Sequence, residues 1–350
     1  MVRLQGALVG YGAVAHNAHS PALRGRDDVS IAAVADADPE RLRLAQAAFP
    51  GARRYRDLDS LLAGEPELDF VDLATPPWLH GGQVLRALDR GLHVLCEKPL
   101  TLDAGEYRRI CGKARRRGRA VFTVHNWARA PIWAKAAEIS AAGELGVVRH
   151  AELHALRTKP SAAAGPGDWR TDIRLAGGGI LVDHGWHNLY LLRRVLFPRG
   201  DAPLAQAACA AFHRPAPAAA ETEVSVLYRF PAATALLHLT WRAACRANWA
   251  VFYGSAATLE LRDDHLLLRP AKGPERRFDF SEKLSAGSAH PEWFAAMLAD
   301  FCAEVRDPRA RGRNLIEAGF SLALIRSAYD GESRPLVSGK APRAGEAASP

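Results

Sequence analysis

The chain has 350 residues, 48% hydrophobic and 24% charged, with a formal net charge of +8; this suits two globular domains and excludes a disordered or fibrous chain. Five scattered cysteines with no CxxC pair exclude a disulfide framework, and no apolar run approaches the roughly 20 residues of a membrane span, so a cytoplasmic protein is expected. The densest basic run, 113–119, sits at what reads as a helix end, where cations suit the helix dipole, and it lacks the interleaved aromatics of a nucleic-acid patch.

The first third alternates apolar runs with helix-like segments. Residues 4–9, 30–35, 69–74, 92–96 and 120–124 read as strands. Residues 13–23, 39–48, 79–89 and 102–117 read as helices, the second with Pro39 in its first turn. That βαβα pattern predicts a doubly wound parallel sheet covered on both faces.

Gly10-Tyr11-Gly12-Ala13-Val14-Ala15 follows the first strand and opens a helix. The first glycine permits a tight turn, the second lets backbone approach a pyrophosphate, and the small Ala15 allows close helix–strand packing. Backbone around Tyr11, Ala13 and Val14 would face phosphates at the helix N-terminus. Asp36, closing the second strand, suits the ribose hydroxyls of NAD and repels a 2′-phosphate, whereas Arg41 could reach such a phosphate. NAD is the expected cofactor, with NADP second. His16 and His19, on the first turns of this helix, read as surface or cleft residues.

Beyond about residue 125 the pattern changes. Residues 147–156, 205–212, 223–230, 233–241, 249–253, 258–261 and 265–268 read as strands with short turns, which predicts an α+β domain with a large, mostly antiparallel sheet. Helices are expected at 132–142, 183–196, 292–306 and 315–329. The predicted divisions are a Rossmann domain at 1–124, a substrate and oligomerisation domain at 125–332, and a disordered tail at 333–350, rich in Pro, Gly, Ser and Ala.

Gly177-Gly178-Gly179 feeds a segment with Asp183 and His187 four residues apart, on one face if helical. An imidazole oriented by a carboxylate can exchange a proton near neutral pH. Asp183, His184 and His187 could also form a metal set, but no further Cys/His cluster supports it and no metal is expected. Trp169 and Arg170, just before the glycine run, offer a face for a sugar ring and a fork for an anion. Asn126 and Trp127, after the last strand of the parallel sheet, are expected at the domain interface.

Four motifs occur in order: Gly10 to Ala15; Ala74-Thr75-Pro76-Pro77-Trp78-Leu79-His80; Cys96-Glu97-Lys98-Pro99; and Gly177 to His187. With them the chain resembles the glucose–fructose oxidoreductase / inositol dehydrogenase / MocA family over roughly residues 3 to 330. The resemblance implies NAD(P)-dependent oxidation of a sugar or cyclitol hydroxyl, or reduction of the ketone. It implies that Lys98 contacts the reacting hydroxyl and the nicotinamide ribose, that Asp183 orients substrate, and that His187 exchanges the hydroxyl proton. Thr75, Pro76 and His80 match the loop under the nicotinamide side, Glu97 matches a cofactor contact, and a cis peptide is implied before Pro99. The open sheet, with apolar strands over 223–241, predicts a homodimer or homotetramer. Two alternatives are an NAD-dependent glycosidase acting by transient oxidation and elimination, and a dinucleotide-binding sensor.

Overall fold

Strands β1 (Leu4–Val9), β2 (Val29–Ala35), β3 (Arg53–Tyr55), β4 (Phe70–Leu73), β5 (His93–Cys96) and β6 (Val121–Thr123) form a parallel sheet in the order β3-β2-β1-β4-β5-β6. The computed structural model describes residues 3–160, 169, 172–200, 202–216, 218–287 and 290–332. The inner strands β4 and β5 are buried at every residue because helices cover both faces. Strand order reverses between β1 and β4, and a crevice opens there beyond the strands' carboxyl ends.

Local chemistry sets the helix ends. Asp38 caps Pro39–Ala48 by accepting from the Glu40 amide, and Asp103 caps Ala104–Arg117 by accepting from that of Glu106. The latter helix stops at left-handed Gly118, and its basic last turn is the sequence's densest positive run. The expected helix over 13–23 forms and carries a π segment, Ala15–His19, between residues 13–14 and the α-helical Ser20–Arg24. Strand β3 and the helix Leu58–Gly64 were not anticipated, since Arg53-Arg54-Tyr55 is a polar edge strand with no apolar alternation.

The second sheet has eight strands: β7 (Val148–Leu156), β8 (Ala207–His213), β9 (Glu223–Arg229), β10 (Thr234–Thr240), β11 (Ala247–Gly254), β12 (Ala257–Leu261), β13 (His265–Pro270) and β14 (Arg276–Asp279). Their order is β14-β13-β12-β11-β7-β10-β9-β8, antiparallel except for the central β7–β10 pair, which runs parallel from His150–Thr234 to Leu156–Thr240. Alternate residues, among them Leu153, Val226, Leu237 and Phe252, are buried. They join one core with Leu181, Trp186 and Leu189 that extends to Val9, Leu73 and Val94 of the first sheet. The opposite face carries Leu227 and Tyr253, both exposed.

The helix Pro291–Arg306 returns to the first sheet. Its Phe294, Met297, Leu298 and Phe301 pack with Leu8, Phe70 and Phe122. Tertiary packing thus joins a late segment to the nucleotide-type half. Residues 333–350, the expected tail, lie outside the described residues. Among those described, no helix is long and apolar enough to cross a membrane.

Candidate active site

Between the carboxyl ends of the parallel strands and the segments at one end of the second sheet's central strands lies a cleft of about 1060 Å³. Gly10, Gly12, Ala13, Val14, Asp36, Arg41, Thr75, Pro76, Glu97 and Lys98 line it from one side. Asn126, Trp127, Trp169, Asp183 and His187 line it from the other. Fifteen residues nominated from sequence thus share one cavity. Arg170 lies outside the described residues.

Gly10 has a φ of 87°, and a Cβ there would lie 2.8 Å from the Ala74 carbonyl carbon and oxygen. Only glycine fits this cradle. The Asp36 carboxylate holds the turn, accepting from the Tyr11 amide at 2.6 Å and the Asp38 amide at 2.9 Å. Tyr11 contributes backbone here, while its ring is buried and its hydroxyl donates to Ser20. Arg41 approaches Asp36 at 4.0 Å. The open glycine turn, the carboxylate at the next strand's end and the flanking Thr75-Pro76 loop fit a dinucleotide.

His80 does not line the cleft. It is buried, bonding the Pro99 carbonyl through Nδ1 and the Thr75 carbonyl through Nε2, so it ties the two loops together from beneath. The Lys98–Pro99 peptide is cis, as the resemblance implies.

The two halves meet at Lys98. Its Nζ donates to the Asp183 carbonyl at 2.7 Å and to Asp183 Oδ1 at 2.9 Å, across 85 residues of sequence. Asp183 sits in a π-turn, Leu181–Gly185, that leads into the helix Trp186–Leu196. Asp183 and His187, four residues apart on this continuous helical segment, both line the cleft, each with its own hydrogen-bond partner. His187 bonds the Tyr190 hydroxyl through Nδ1 at 2.8 Å and leans on Trp127, ring centres 5.5 Å apart. Tyr190 in turn accepts from the Trp127 amide. Burial, reinforced by the Lys98 charge, drives the His187 imidazole well below its usual range rather than leaving it near neutrality.

Glycine makes the turn before Asp183 geometrically possible. A Cβ on Gly179 would lie 2.0 Å from the Glu221 carbonyl oxygen. Buried Glu221 accepts from the Leu181 amide at 3.0 Å and from the Tyr329 hydroxyl at 2.9 Å.

Sequence reasoning missed the cleft residues Arg157, Lys159 and Arg246, and weighed His184, which also lines the cleft, only as a metal ligand. Burial drives His184 down to about 3. The available signal was a charged residue, Arg157, directly after the alternating strand β7. His19, nominated as surface or cleft, is fully buried beneath the site. Its Nδ1 lies 2.8 Å from Asp72 Oδ2 and its Nε2 3.0 Å from Glu97 Oε1. Burial pushes Glu97 up, but His19 and Lys98 outweigh it and hold the carboxyl below its usual range. Glu97 Oε2 accepts from the Lys98 amide, so this buried network ends at the lysine.

A parallel sheet with a glycine turn at its switch point, closed by a second sheet that brings an acid and an imidazole to the crevice, defines a two-domain NAD-binding oxidoreductase fold. The chain belongs to the Gfo/Idh/MocA family of oxidoreductases: the family's NAD-binding Rossmann model matches residues 4–125 and its C-terminal domain model residues 133–260. D-apiose dehydrogenase of Paraburkholderia graminis is 38% identical over 125 residues, 36% of this chain and 33% of the relative. D-glucoside 3-dehydrogenase of Escherichia coli is 31% identical over 199 residues, 56% of this chain and 55% of the relative. The matched region thus spans a third to about half of these relatives' length. The crystal structure of an inositol dehydrogenase homolog from Azotobacter vinelandii, complexed with NADH and myo-inositol, superposes with a TM-score of 0.77 at 20% identity, covering 94% of this chain and 96% of that one.

Proposed function

We propose that the protein is an NAD-dependent dehydrogenase acting on a secondary hydroxyl of a sugar, sugar derivative or cyclitol. The observation that carries this is the Lys98–Asp183 pair joining the two walls of the cleft that the Gly10 turn and His187 also line. The names of two relatives, a D-apiose and a D-glucoside dehydrogenase, support the substrate class. NAD, when bound, supplies the hydride acceptor.

The chain's own residues handle the proton and the charge. Held neutral by burial, His187 accepts the hydroxyl proton at Nε2 in the tautomer whose Nδ1–H donates to Tyr190. Lys98 Nζ, with Asp183 fixing its position, stabilises the negative charge that grows on the hydroxyl oxygen. Asp183 also accepts from neighbouring substrate hydroxyls. Trp127 and Trp169 present apolar ring faces to the sugar, and Asn126 adds an amide.

The test is dinucleotide reduction across a panel of sugars and cyclitols, followed by variants on the best substrate. Lys98→Ala and His187→Ala each lower turnover by roughly two to four orders of magnitude. Calorimetric NAD affinity survives His187→Ala. Near-parental turnover in His187→Ala would refute its assignment as the base.

A further inference from the structure

The substrate half of the cleft is more cationic than a neutral polyol requires. Among the described lining residues from 126 onward, Arg157, Lys159 and Arg246 are cations, whereas Asp183 is the carboxylate. That carboxylate already accepts from Lys98. Both histidines there, His184 and His187, are driven toward their neutral forms by burial and offset nothing.

Arg157 is the unusual member. It closes β7, is only 2% exposed, and is aimed by its neighbours: Nη1 donates to the Leu156 carbonyl at 2.7 Å and Nη2 to Asn248 Oδ1 at 3.0 Å. Its Nε has no hydrogen-bond partner among the described residues. The two carboxylates near enough to act on its charge offer little. Asp183 is held by Lys98, and Asp263 accepts from the Ser285 amide at 2.8 Å and from its hydroxyl. Arg246, whose guanidinium donates to the Ser285 and Gly287 carbonyls, opposes the Arg157 charge. A buried guanidinium facing a second cation, with a donor unspent, is stabilised most by an anion placed between them.

We propose that the substrate carries an oxyanionic group, a carboxylate or a phosphate, on its sugar or cyclitol frame, and that Arg157, Arg246 and Lys159 hold that group while the reacting hydroxyl meets Lys98 and His187. This rests on the dehydrogenase reading and names its substrate class. The guanidinium fork of Arg157 orients the anion, and Lys159 and Arg246 draw it in from the cleft mouth.

The experiment uses the full chain saturated with NAD and titrates glucose, glucuronate and glucose 6-phosphate calorimetrically. At least one charged member binds roughly ten- to hundred-fold more tightly than glucose, the scale of a hydrogen-bonded charge pair in a desolvated site. The preference shrinks as salt is raised. Whether the carboxylate or the phosphate arm leads identifies the group. In Arg246→Gln and Lys159→Gln, both with parental thermal stability, the charged-to-neutral affinity ratio falls toward one; Arg157→Lys keeps the charge, loses the fork and lowers the ratio part-way. Glucose binding as tightly as both charged members, no binding by any of the three, or ratios unmoved in the variants would overturn the proposal. NADH production is read separately. Tight anion binding without dinucleotide reduction by any charged polyol upholds the anion site while sinking the dehydrogenase reading.

Discussion

His19 offers a sharp test of how the site is supported, because it holds two buried carboxylates on different elements. Its imidazole lies between Asp72 of β4 and Glu97 beyond β5, and stacks on Phe294 of the returning helix with ring centres 3.9 Å apart. Burial alone would lower its proton affinity, yet Asp72 and Glu97 outweigh burial and raise its pKa from 6.5 to about 9. At about 1.4 kcal/mol per tenfold in proton affinity, the protonated ring contributes about 3 kcal/mol to folding. Because the folded value is the higher one, this contribution is complete below about pH 6.5 and fades as pH rises through about 9. His19→Gln keeps polar contact but carries no charge. Its urea midpoint should therefore fall well below the parent's at pH 6, and the gap should narrow steadily toward pH 10. Measuring both proteins at pH 6, 8 and 10 cancels the titrating groups remote from His19 in the difference, whereas Asp72, which burial raises and His19 lowers, is coupled to the ring and titrates with it. A gap that stays constant over that range would refute a protonated His19.

Three further outcomes follow from the geometry. The His187 imidazole is pushed well below its usual range, so kcat/KM for oxidation should hold its plateau through pH 6.5 and fall only at more acid pH, with that limb absent in His187→Ala; a limb centred at or above 7 would contradict this. Asp36 faces the cleft at the end of β2, so NAD should bind more tightly than NADP by calorimetry, and Asp36→Ser should narrow the difference; tighter NADP binding in the parent would reverse the assignment. The open face of the eight-stranded sheet, with Leu227 and Tyr253 exposed, should be covered by a second copy, giving a dimer or tetramer by light scattering at micromolar concentration; a stable monomer would refute it.

What the sequence determined on its own is what neighbouring residues decide together. The Gly10 turn, the helix end at Gly118 and the two strands over 223–241 each depend on a few consecutive side chains, and all were legible before any fold was known. The order of the four motifs also exposed the family. Strands β3 and β14 were not legible, because Arg53-Arg54-Tyr55 and Arg276-Arg277-Phe278-Asp279 are polar edges whose strand state comes from pairing with a neighbour. The functional contacts were the least legible, since they join distant segments. Lys98 meets Asp183, His19 meets Asp72 and Glu97, and His187 takes Tyr190 rather than a helical-face carboxylate as its Nδ1 partner. Burial then sets their charge states: the same side chain is an imidazolium between two carboxylates at His19 and a neutral ring beside a lysine at His187. Only the tertiary structure could decide this, because desolvation and the sign of the nearest charge are properties of the packed interior and not of the chain's local sequence.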